Sequence, residues 1–165
     1  MNRRRHTTEP RREAKLTRRL FVSAAVVGLL QALLPGTGRA FGASPPGKLV
    51  IVVNRDNPLS AIGRRELSDV FLKKASRLPD GEIARPVDLR ADSPLRREFS
   101  EQVLGRPVSA VRSYWQQRIF SGRDVPPPEL ASERDVVAYV ARNRGAVGYV
   151  SANADLGTVK VIAVY

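Results

Sequence analysis

The chain has no cysteine, and its single histidine, His6, sits inside a basic amino-terminal stretch. The first absence excludes a lipid-modified cysteine, a disulfide framework and a thiolate metal site. The second removes the commonest general base and any imidazole metal cluster. No glycine-rich nucleotide loop is present either, so neither a nucleotide cofactor nor a metal is expected, and the cofactor set is empty. The carboxylate pairs, Asp88 with Asp92 and Glu98 with Glu101, read as loop and solvated helix carboxylates, and the chain is expected not to be an enzyme.

What is present is a globular composition with an uneven charge. The 165 residues suit one domain, and 42% hydrophobic content supports a core. Formal net charge is +12. Residues 1–40 hold nine Lys/Arg against two Asp/Glu, leaving 19 against 14 for the rest. Most of the basicity therefore belongs to the first segment. Beyond it the arginines are scattered over helices and loops instead of alternating with aromatics, and nucleic acid is not an expected partner.

That first segment reads as an export signal. Arg3, Arg4, Arg5, Arg11, Arg12 and Lys15 precede Arg18-Arg19-Leu20-Phe21, an apolar run to Leu34, and the small residues and breakers of Pro35-Gly36-Thr37-Gly38-Arg39-Ala40. Paired arginines followed one residue later by Phe resemble the twin-arginine motif. The run of about fifteen apolar residues is short of the roughly twenty that span a bilayer. Residues 1–40 are therefore expected to be a twin-arginine-type signal peptide cleaved near Ala40, with an uncleaved inner-membrane anchor as the alternative. A Pro/Gly/Ser tether, 41–48, leads into a periplasmic domain, 49–165, large enough to fold without staples.

Within that domain, Leu49 to Val53 is an apolar run without alternation, the pattern of a strand covered on both faces. After a polar loop to Ser60, Leu67, Val70 and Phe71 share one face of a helix from about Arg64. Pro79-Asp80-Gly81 turns the chain, and Ile83 to Leu89 is expected as a second strand. Another helix follows Pro107, with Val108, Val111, Trp115 and Ile119 at spacings of three and four; Trp115 and Phe120 are expected in the core. Ser121 to Pro128 reads as an irregular exit. Ser132 with Asp135 starts the next helix on Val136, Val137 and Val140, and Asn143 to Gly145 is expected to end it with a left-handed residue. Ala146 to Val150 and Val159 to Tyr165 are the last strands. The alternation predicts an α/β domain with a mixed sheet flanked by helices.

The stretch with most chemistry is Val87 to Phe99, read as strand end, polar loop and helix start. Ser93 is placed to cap and Pro94 to occupy the first helical position. Leu95, Phe99 and Val103 form its apolar stripe. First-turn amides and the positive end of the helix dipole favour an anion, and Arg90, Arg96 and Arg97 add charge that the dipole does not require. The alternative is a purely structural turn with solvated arginines.

Three segments occur in the order found in the substrate-binding proteins of phosphate ABC transporters: Ile51-Val52-Val53-Asn54 through Glu66-Leu67-Ser68-Asp69-Val70-Phe71-Leu72, then Arg90-Ala91-Asp92-Ser93, then Gly145-Ala146-Val147-Gly148-Tyr149-Val150. Tyr114-Trp115 and Ile119-Phe120-Ser121-Gly122 resemble further features of the short relatives of that family. The resemblance covers nearly all of 49–165. It implies a single lobe of a periplasmic-binding-protein-like, type II fold that binds phosphate or a similar oxyanion through Arg90, Asp92 and Ser93, to which the charge at the helix start adds Arg96. Pro94 and Leu95 stand where the family has Gly and Thr, which removes one amide donor and one hydroxyl. A lone lobe makes half a cleft, to be completed by an ABC transporter permease, an envelope or sensor protein, or a second copy in a homodimer. A non-transport interaction or sensory module with a degenerate ligand site is the alternative function.

Overall fold

A computed structural model describes residues 48–165; the expected signal peptide and nearly all of the expected tether lie outside the described residues. The centre is the apolar run itself, strand β1 (Leu49–Val53), of which Ile51, Val52 and Val53 are buried. It pairs antiparallel with β6 (Ala146–Ser151), Ile51 opposite Tyr149, and antiparallel with β7 (Lys160–Val164), Ile51 opposite Ile162. The two-residue strands β2 (Ala61–Ile62) and β3 (Arg85–Pro86) close the edges by parallel pairing with β7 and β6. The order β2-β7-β1-β6-β3 makes a mixed five-stranded sheet.

Four helices surround it: α1 (Arg64–Phe71), α2 (Pro94–Gln102), α3 (Val108–Phe120) and α4 (Glu133–Arg142). Consecutive residues of β6 point to opposite faces of the sheet. A Cβ on Gly148 would stand 2.6 Å from Val136 Cγ1, so α4 lies against that face, whereas the Tyr149 ring stacks on Phe99 of α2 at 4.0 Å. The run is covered on both sides because α2 and α4 take one face each. Asn54, at the end of β1, fixes α4 by donating to the carbonyls of Val140 and Ala141.

Several expectations need correction. The stretch expected as one strand is two, β3 and β4 (Asp88–Leu89), serving different partners. Arg85 and Val87 donate to Gly145 and Val147, while Asp88 and Arg90 donate in the other direction, to Pro128 and Leu130. Pro86 has no N–H to give on that second side, so pairing there begins only at Asp88. The partner is β5 (Glu129–Leu130), a strand hidden in the sequence behind three prolines. Phe120 is 90% exposed, not a core aromatic, since the buried side of α3 ends at Trp115. Asn143, with φ −128°, is not left-handed, and no residue of Asn143 to Gly145 has a positive φ. Gly145 is required for another reason: a Cβ there would lie 2.1 Å from the Ile83 carbonyl oxygen.

Candidate functional site

The site is built where the chain leaves β4. Leu89 is buried, Arg90 is exposed, and the loop 90–93 turns through a Ser93 N–H bond to the Arg90 carbonyl before Pro94 opens α2. Ser93 is the residue before the helix and has extended backbone angles, but its side chain makes no capping bond, contrary to expectation. Arg90 Nε is 3.5 Å from Asp92 Oδ1, and both side chains remain largely in solvent. Arg90 and Asp92 line an open groove of about 680 Å³ together with Ala91, Arg112, Glu129 and Ala131. Arg112 comes from α3, and Glu129 from β5, in register with Asp88.

Arg96 does not share that surface. It is 4% exposed, on the inner side of the first turn of α2, and its Nη1 is ion-paired with Asp88 Oδ2. Side chains on a helix lean back toward its start, which carries an arginine at the third helical position onto the strand that precedes it. The Tyr149 hydroxyl donates to Asp88 Oδ1 at 2.5 Å and accepts from the Leu89 N–H at 3.2 Å. Asp88, Arg96 and Tyr149 thus form a buried polar knot under the exposed loop. Burial pushes the Tyr149 hydroxyl up to about 12, with Arg96 acting in the opposite direction. Burial likewise lowers Arg96 from the usual arginine range.

Of the four residues singled out from sequence, Arg90 and Asp92 flank the groove, Ser93 stands at the head of α2, and Arg96 lies behind them in the interior. Sequence reasoning missed Arg112 and Glu129, which reach the groove only through the packing of α3 and β5. It also set Asp88 aside as a loop carboxylate and gave Tyr149 no role beyond its motif. A lone acid following the apolar Val87, eight residues before an arginine next to the apolar helical stripe, was the available signal. Chemically the corner offers two exposed guanidinium groups and a helix start to an anion, with Asp92 and Glu129 able to accept protons from a protonated oxyanion. Among the described residues no cluster of metal-ligating side chains occurs, and no helix is long and apolar enough to cross a membrane.

No protein-family model matches the chain, and no curated protein matches its sequence. Solved structures do match its fold. An ABC-type phosphate transport receptor from Vibrio cholerae superposes with a TM-score of 0.55 at 21% identity, over 70% of this chain and 45% of the receptor. A Clostridium perfringens protein assigned as a phosphate ABC transporter substrate-binding protein, with phosphate bound, gives 0.55 at 16% identity, over 70% and 44%. A possible phosphate-binding protein from Planctomyces limnophilus gives 0.52 at 15%, over 73% and 42%. The chain spans less than half the length of these neighbours. The described domain has the α/β architecture of a single periplasmic-binding-protein-like lobe, a mixed sheet flanked by helices.

Proposed function

We propose that the chain is an exported, periplasmic substrate-binding domain that holds phosphate or a related oxyanion in the groove between the 90–93 loop, α3 and β5, in connection with ABC-type transport and without catalysis. The observation that carries this reading is the meeting of Arg90 and Arg112, from separate elements, on one groove beside the start of α2. The phosphate-binding and transport roles named for the structural neighbours support it. Ser93, with the first-turn amides, completes the donor set, and Arg96 holds the loop from behind through Asp88. A groove open to solvent on one side leaves room for a second body, either a permease or sensor protein or a second copy of the chain. Residues 1–40 deliver the domain to the periplasm, and sequencing of the exported protein from its amino terminus should begin at Phe41.

Isothermal titration with phosphate, with sulfate as competitor, tests the binding. Saturable heat is expected, and Arg90→Ala should weaken it by the roughly 1.5–3 kcal/mol of a charged hydrogen bond. Unchanged affinity in that variant moves the site elsewhere, and no heat up to millimolar phosphate refutes the reading. In that event the alternative of an interaction or sensory module gains ground, because Phe120, Val125 and Ile119 are 90%, 61% and 49% exposed around the end of α3.

A further inference from the structure

We infer that the ligand is an organic oxyanion, an acidic head joined to one compact apolar group, and that the apolar group enters a second chamber beside the groove. This rests on the reading of the groove as an oxyanion site and names its substrate class. The chamber is a cavity of about 180 Å³ between α2, α3 and the segment before β5. Ala91, Arg112 and Glu129 line both spaces, so the two adjoin. Val108, Trp115, Ile119 and Pro126 supply its apolar wall, and Arg96 lines it from the interior.

The lining sets this chamber apart from a packing gap. Arg96, 4% exposed and ion-paired with Asp88, brings positive charge to its inner side. The wall opposite is apolar and offers water few partners, whereas a cavity of about 150 Å³ with an apolar lining takes a benzene-sized molecule. A bare inorganic anion satisfies the arginines of the groove and leaves that wall unfilled. A phosphate monoester of an aromatic or short aliphatic alcohol fills both spaces, its head between Arg90 and Arg112 and close to Arg96, its apolar part against Trp115. Glu129, at the junction, accepts a hydrogen bond from the head's own hydroxyl. The half-exposed Ile119 and exposed Pro126 then form the mouth through which the apolar group enters.

Trp115 is the only tryptophan in the chain, so its emission reports directly on this chamber. Inorganic phosphate, phenyl phosphate and phenol are each titrated into the full chain, followed by Trp115 fluorescence and by calorimetry. Phenyl phosphate is expected to bind at least about tenfold more tightly than phosphate, from the apolar area it buries, and to change the Trp115 emission at saturation. Val108→Phe, which fills the chamber, should remove that advantage and leave phosphate affinity unchanged. Ile119→Asn does the same, without adding charge, at a half-exposed position where folding is not at stake. Equal affinities for phenyl phosphate and phosphate overturn the inference while the oxyanion reading stands, as does an advantage that survives both substitutions. Binding of phenol as tight as that of phenyl phosphate also overturns it. Failure of phosphate and phenyl phosphate alike to bind overturns both readings.

Discussion

The two faces of β6 are packed by different rules. Behind Gly148 the contact is apolar and tight: Val136 of α4 and Val87 press so close that there is no space for a methyl group. In front, Tyr149 lies in an aromatic stack with Phe99, whose ring is 4.5 Å from that of Phe71, and its hydroxyl leads to Asp88, Arg96 and the open groove. One face holds the lobe together through shape. The other accepts the desolvation of an ion pair, an arrangement that rarely adds stability over apolar residues but fixes the position of whatever is attached to it. Here that is the 90–93 loop.

The sharpest way to break this contrast is to remove one charge from the knot. Arg96→Met leaves Asp88 buried and uncompensated, and urea unfolding should show a loss of about 3–5 kcal/mol. Arg96→Met with Asp88→Leu should recover a large part of that loss, because both desolvation costs vanish together, while oxyanion binding stays impaired. Recovery of stability without recovery of binding separates a positioning pair from a stabilising one. Equal destabilisation in the single and double variants would make the pair a net contributor to the fold.

Tyr149 gives the same face a signature in pH. Its hydroxyl ionises near 10 when unfolded and at about 12 in the folded chain. A raised folded value means that the associated stability is complete below about pH 10 and is lost as pH climbs toward about 12. A shift of about two units corresponds to about 2–3 kcal/mol across that window. Urea midpoints between pH 9 and 11.5 should fall accordingly, and Tyr149→Phe should flatten the slope. The Gly148 contact is made by valines, so Gly148→Ala should lower stability by about 1–3 kcal/mol through overpacking, independent of pH over the same range. A pH-dependent loss in Gly148→Ala would show that the faces are coupled through the strand.

The ease of reading these regions from sequence follows the same division. Leu49 to Val53, the Leu67/Val70/Phe71 stripe and the Ser132 start of α4 are local patterns, and each appears where the pattern places it. The knot was illegible because an arginine on a first helical turn ordinarily reaches water. Arg96 turns inward to pair with Asp88, whose other carboxylate oxygen is held by Tyr149, far along the chain. β5 was hidden because Pro126 to Pro128 suggest an irregular segment; its pairing needs only Glu129 and Leu130. Phe120 misled in the reverse sense, since apolar periodicity in α3 runs on past the point where the core stops. Half of the groove was therefore visible, Arg90 and Asp92, and the half from α3 and β5 was not.

The smallest effect compares the two serines that open helices on these faces. Ser132, ahead of α4, accepts a hydrogen bond from the Asp135 N–H at 3.2 Å and donates to the Asp135 carboxylate at 2.7 Å. Ser93, ahead of α2, occupies the equivalent position with no capping bond. Ser132→Ala should therefore cost about 1 kcal/mol of stability, and Ser93→Ala no more than about 0.5 kcal/mol. If Ser93 serves the groove, its substitution should instead lower oxyanion affinity at nearly constant stability. Ser132→Ala, on a helix that does not line the groove, should do the reverse. Parallel calorimetric and unfolding series on the two variants distinguish these cases. A loss of about 1 kcal/mol in unfolding for Ser93→Ala would make its hydroxyl a cap after all and take it out of the binding site.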